Sequence, residues 1–158
     1  MAFTWGEDGT RIHYDTWGNP DGEPVLMVQG LGADLRGWIL QRRAFGGNYR
    51  CIAPGNRGGG QSDKPPGPYD LSMMARDAMA VLDDAGVDRA HVMGASMGGV
   101  ISQIIGVLHA DRVRSLTLAC TACRQLPWRR ELLSEWAAMA ETEGMASFVH
   151  RNARWLFG

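Results

Sequence analysis

The 158-residue sequence holds a single lysine, Lys64, among its 16 basic residues, and these face 17 Asp and Glu, for a formal net charge of −1. There is no surplus of positive charge to track a phosphate backbone or to settle on an anionic bilayer, so neither nucleic acid nor a membrane is an expected partner. No apolar run approaches the roughly 20 residues of a transmembrane helix, and the start, MAFTWGEDGT, has neither the basic opening nor the apolar stretch of a secretory leader. The expected location is cytoplasmic. Cysteine is scarce, and its three copies, Cys51, Cys120 and Cys123, are too few and odd in number for a disulfide framework. Cys120 and Cys123 form a C-x-x-C, but no second pair of cysteines or histidines completes a zinc site. The thiols therefore read as structural or incidental, no metal is expected, and there are no internal repeats.

What is present is an ordinary globular composition, 45% hydrophobic and 21% charged, enough for one compact domain with a core and too little for two. Residues 2–17 read as a β-hairpin, with Phe3 to Trp5 as one arm, a turn at Glu7-Asp8-Gly9, and a second arm in which Ile12, Tyr14 and Thr16 share a face. Val25 to Val28 and Tyr49 to Ala53 are continuous apolar runs, the mark of strands covered on both faces in a parallel sheet. A short helical stretch lies between them around Arg36 to Arg43. From Asp70 the period changes: Leu71, Met74, Ala75, Ala78, Met79, Leu82 and Ala85 line one face of a helix, with Asp70 as its N-cap and Gly86 as its stop. His91 to Ala95 reads as a strand, Met97 to about His109 as a helix, and Val113 to Leu118 as another strand. This alternation predicts an α/β sheet with right-handed crossovers. After Pro127 the sequence is helix-rich to its end.

The chemistry concentrates at Gly94-Ala95-Ser96-Met97-Gly98, a G-x-S-x-G set between an apolar strand and a helix. The backbone must double back within a few residues, so small residues have to flank the serine, and Gly94 and Gly98 let strand and helix close on one another. The serine is pushed out of the sheet. Holding a non-glycine residue in such a turn costs about 1–3 kcal/mol, a cost a purely connecting serine has little reason to carry. The N–H of Met97, at the start of the next helix, is placed to meet negative charge on a substrate oxygen. A second donor follows from Val28-Gln29-Gly30-Leu31-Gly32, where a strand exits through glycines and the backbone N–H of Leu31 can pass close to the serine.

These stretches, VQGLG at 28–32, PGNRGGGQSDKP at 54–65, GASMGG at 94–99 and HADRVRSLTL at 109–118, together resemble the N-terminal half of the α/β-hydrolase family from about Ile12 to Thr121. The resemblance is closest in style to bacterial esterases and to the cofactor-free haloperoxidase-like and methylesterase-like branches. It implies a core over residues 1–121, a helical cap over 122–158, Ser96 as nucleophile, an oxyanion hole from the backbone N–H groups of Leu31 and Met97, and no cofactor. It departs from the family in two places. Gln29 stands where the family usually has His, and Gly55 where it usually has an acidic residue ahead of Arg57.

The family's chain order is nucleophile, then acid, then histidine. None of the four histidines here fits as base. His91 is five residues before Ser96 along a strand, roughly 16 Å away at about 3.3 Å per residue. His109 is at the far end of a helix, His13 sits on the hairpin, and nothing orients His150. Asp111 reads as a loop residue. The expected base and acid therefore lie outside these residues, and the chain is expected to be a fragment, or one partner of a two-chain fold, that is inactive alone. Its last strand would then present an apolar edge to the missing half of the fold or to another copy of itself. The expected activity is that of a serine hydrolase acting on a small-molecule carboxylic ester, thioester or lactone through an acyl-enzyme. The alternatives are an acyltransferase or C–C hydrolase with the same nucleophile, or a non-catalytic binding or interaction module.

Overall fold

The computed structural model describes residues 2–124 and 126–157. Contacts divide the chain into two compact units, Met1–Cys123 and Arg124–Gly158. The first unit opens with β1 (Ala2–Trp5) and β2 (Arg11–Gly18), an antiparallel hairpin pairing Ala2 with Tyr14 and Trp5 with Arg11. Then come β3 (Glu23–Val28), a short 3-10 helix (Leu35–Trp38), α1 (Ile39–Phe45), β4 (Tyr49–Pro54), α2 (Leu71–Asp84), β5 (Ala90–Ala95), α3 (Met97–Leu108), a 3-10 turn (Ala110–Arg112) and β6 (Val113–Ala119).

The six strands form one sheet in the order β1-β2-β4-β3-β5-β6. The apolar runs of β3 and β4 lie at its centre and run parallel to each other, as do β3 with β5 and β5 with β6, while β2 joins β4 antiparallel. This is the α/β-hydrolase fold, with a mostly parallel sheet behind an antiparallel N-terminal hairpin.

Both faces of the central strands are covered, which is why their sequences are apolar without alternation. On one face Ile12, Leu26, Val28 and Ile52 pack with Ala75, Ala78, Val81 and Leu82 of α2 and Ile101 and Ile105 of α3. On the other, Val25, Met27, Cys51 and Ala53 pack with Leu35 and Trp38, and the Trp38 indole N–H donates to the Met27 carbonyl at 3.1 Å. Each fully buried Val, Leu or Ile contributes about 1.5–3 kcal/mol.

The helix punctuation expected around α2 is present. Asp70 accepts from the Met73 N–H at 2.7 Å, and Gly86 ends the helix with φ +67, a left-handed conformation glycine adopts without strain. The stretch expected to be helical around Arg36 to Arg43 is two elements. Asp34 caps a tight 3-10 turn through the Arg36 N–H, and α1 follows with Ile39 and Leu40 exposed. The poor helix former Gly37 sits inside that turn.

The second unit holds α4 (Pro127–Phe157), interrupted at Gly144, whose φ of 82 and ψ of 163 are not helical. Trp136 meets Phe148 edge-on at 5.5 Å. Asn152 donates to the Phe148 carbonyl at 2.9 Å and to the Met139 sulfur at 3.6 Å. Among the described residues, no helix is long and apolar enough to cross a membrane.

Candidate active site

Ser96 stands between the end of β5 and the start of α3 with φ 54 and ψ −118, a conformation that disfavours any residue with a β-carbon. Its side chain is exposed. Its own N–H is tied to the Ala119 carbonyl at 2.9 Å, so the turn is anchored to the end of β6 while the hydroxyl projects away.

Gly94 and Gly98 make the turn possible by contact as well as by conformation. A methyl group on Gly98 would run into the carbonyl oxygens of Val28 and Gln29, the second at 2.6 Å, and one on Gly94 would come within 2.6 Å of the Gly98 carbonyl carbon. Ser102, fully buried, donates to the Gly98 carbonyl at 2.8 Å and braces the first turn of α3. Met97 is the first residue of that helix, so its N–H has no acceptor within it.

The β3 exit reaches the same place. A β-carbon on Gly30 would fall 3.1 Å from the Ser96 β-carbon and 3.7 Å from its Oγ, which puts the Gly30 backbone against the serine side chain. Leu31, next along, is exposed. The structure thus gathers Ser96, Met97 and the Gly30-Leu31 segment at the C-terminal ends of β3 and β5.

The histidines of the first unit lie elsewhere. His91 is at the opposite end of β5, its ring between Ser115 Oγ at 2.8 Å and Glu23 at 3.1 Å. His109 follows α3 at its far end. His13 on β2 is separated from β5 by β4 and β3, three strand spacings or about 14 Å. It is buried against Phe3, its Nε2 has no partner, and burial pushes its pKa down from the ordinary value while the carboxylates of Asp15 and Asp34 pull it up.

One constellation was not anticipated from the sequence. Arg57, in the loop after β4, is buried and held by two carboxylates: its Nε donates to Asp77 at 2.7 Å and its Nη1 to Asp8 at 2.6 Å. The side-chain hydrogen bond to Asp77 leads the effects that raise the guanidinium above its usual range, and the bond to Arg57 leads those that hold Asp8 well below the carboxylate range. This cluster fixes the β4 exit to α2 and to the hairpin turn. At Gly55, where the family usually has an acid, the backbone is held by the Gly55 N–H to the His13 carbonyl at 2.8 Å and by the Ser62 hydroxyl donating to the Gly55 carbonyl at 2.6 Å. The one available signal was Asp77 itself, a charge on the apolar stripe of α2 between Met74 and Val81.

Residues 23–157 match the family described as the alpha/beta hydrolase fold. The chain belongs to this family. It is 36% identical over 118 residues to RutD of Azorhizobium caulinodans, named for carbamate hydrolysis, a match covering 75% of this chain and 43% of that one. It is 31% identical to 3-oxoadipate enol-lactonase 2 of Acinetobacter baylyi, over 72% of this chain and 42% of the lactonase. Among solved structures, the enol-lactonase from Burkholderia xenovorans superimposes with a TM-score of 0.87 at 30% identity, over 95% of this chain and 57% of that one. The chain spans about half the length of the curated relatives it matches.

Proposed function

We propose that this chain carries the nucleophile half of a serine hydrolase acting on a small carboxylic ester, thioester or lactone. Ser96 Oγ gives its proton to a general base as it attacks the carbonyl carbon, the carbonyl π bond opens onto oxygen, and the backbone N–H groups of Leu31 and Met97 stabilise that oxyanion. Collapse breaks the bond to the leaving group, which takes the proton back from the base and departs as the alcohol, thiol or enol; water, deprotonated by the same base, then cleaves the acyl-Ser96 and the serine is reprotonated. A preorganised donor of this kind contributes about 3–4 kcal/mol to the transition state.

The general base and its orienting acid come from residues other than those of the first unit, because His13, His91 and His109 are held away from Ser96. The observation that carries the reading is the strained φ of Ser96, an exposed residue that lies beside the Gly30 backbone at the start of α3. The lactonase and esterase names among the similar proteins favour an acyl substrate cleaved by water.

The test is labelling of the full-length protein by a fluorophosphonate, together with hydrolysis of short acyl esters. Wild type is expected to label and to turn over ester, and Ser96→Ala to lose both, with turnover down by 10³-fold or more. A folded wild type that neither labels nor hydrolyses points instead to a binding module.

A further inference from the structure

We infer that Asn56 and Gln29 are positioning residues that lock a single peptide plane, the one joining Gln29 to Gly30, and that this lock leaves Leu31 as the oxyanion donor of the β3 exit. The inference rests on the Ser96 reading and assigns what holds its oxyanion loop in place.

Both polar groups of that plane are engaged. Its carbonyl, Gln29 O, accepts from Asn56 Nδ2 at 3.0 Å. Its N–H, that of Gly30, donates to Gln29 Oε1 at 3.2 Å. Because the Gly30 N–H is occupied, the next N–H along the loop, that of Leu31, is the one left to face a substrate oxygen.

The Gln29 side chain is itself buried and fills the space beside Gly37, where a β-carbon would fall 2.5 Å from its Nε2. The same carbonyl that Asn56 engages lies against the first turn of α3, within 2.6 Å of where a Gly98 β-carbon would be. It therefore sits at the contact between the oxyanion loop and the turn that carries Ser96.

Asn56 is presented from a rigid support. Gly55 before it is held through both its N–H and its carbonyl, and Arg57 after it is clamped by Asp77 and Asp8. A donor on a fixed base holds an acceptor more narrowly than one on a free loop, and catalytic geometry is sensitive at that scale: a displacement of about 1 Å can cost on the order of 100-fold in rate. A purely structural asparagine would have no reason to bear on turnover more than on fold stability.

Two readouts test this in the full-length protein. In hydrogen exchange, Asn56→Ala is expected to speed exchange of the Gly30 N–H by about tenfold while the α2 amides of Ala75 to Leu82 keep their protection. Unchanged Gly30 exchange overturns the lock, whatever the activity. In ester hydrolysis, Asn56→Ala is expected to lower kcat about tenfold with KM within twofold and little change in Tm. Asn56→Asp, which turns a carboxylate oxygen on the Gln29 carbonyl, is expected to do at least as much. Normal kcat in Asn56→Ala beside a dead Ser96→Ala overturns the positioning role and leaves the hydrolase reading standing. A wild type without Ser96-dependent turnover defeats the hydrolase reading, and the exchange result still decides the lock.

Discussion

β5 and β6 are neighbours in one sheet, packed behind by the same helix, yet they meet opposite surroundings. At the exit of β5 the backbone of α3 comes so close to the backbone of β3 that no β-carbon fits at Gly98. Along β6 the side chains from Arg114 to Leu118 are exposed, with Leu116 at 40% and Leu118 at 43% of their full area. The helix behind shows the same division: Ile101 and Ile105 are fully buried, whereas Val107 and Leu108 are open. Backbone packs on backbone where a strained serine must be held, whereas along β6, an edge strand among the described residues, Leu116 rests on Gly106 of α3 with only part of its surface covered. The first region tolerates almost no added atom, and the second leaves apolar surface open on its outer side.

The contrast is broken most severely at Gly98. Gly98→Ala drives a methyl into the Val28 and Gln29 carbonyls, and neither backbone can retreat without opening the sheet. Destabilisation of about 3 kcal/mol or more is expected, read as a lowered denaturant midpoint. The next largest effect is expected at Asp77. Asp77→Ala leaves the buried Arg57 with only the half-exposed Asp8, and losing one partner of a buried pair costs about 3–5 kcal/mol; the retained Asp8 places the expected loss near the lower end.

A smaller effect is expected from His13. Because burial lowers its folded pKa below the ordinary 6.5, the unfolded chain takes up a proton that the folded chain resists. Stability attributable to this group is complete above about pH 7 and declines as pH falls through 6.5 toward the folded value. His13→Gln is expected to flatten the denaturant midpoint between pH 7 and 5.5; an unchanged slope means the ring is already accessible to protonation.

The smallest stability effect is expected on β6. Leu116→Lys and Leu118→Lys should each change stability by only about 0.5 kcal/mol, as exposed substitutions do. We propose that this edge is the pairing surface for the rest of the fold or for a second copy, so in the isolated chain both variants should reduce association measured by light scattering. A wild-type chain that stays monomeric at high concentration contradicts that proposal.

What could be read in the sequence was what is local. The elbow, the Asp70 cap and the Gly86 stop each lie within a few residues of the groups they organise, so spacing alone revealed them. The central strands were legible because burial on both faces removes polar alternation. The antiparallel β2–β4 pairing was not, since no local pattern encodes which strand a hairpin arm joins. The Arg57 clamp was hidden for the same reason: Asp8, Arg57 and Asp77 are far apart in sequence and meet only through the fold. The Asn56 contact is harder still, a single amide reaching a backbone oxygen 27 residues earlier. The change from 3-10 helix to α1 at Trp38 and the interruption of α4 at Gly144 were missed because a helix-rich stretch of sequence does not locate the residue at which the backbone leaves the helix.

The most direct trial is a crystal structure of the full-length protein after reaction with a fluorophosphonate. Phosphorus is expected to be bonded to the Oγ of Ser96, with its free oxygen about 2.7–3.1 Å from the backbone nitrogens of both Leu31 and Met97. Phosphorus on another side chain, or a phosphonyl oxygen turned to solvent away from those two nitrogens, would contradict the assignment.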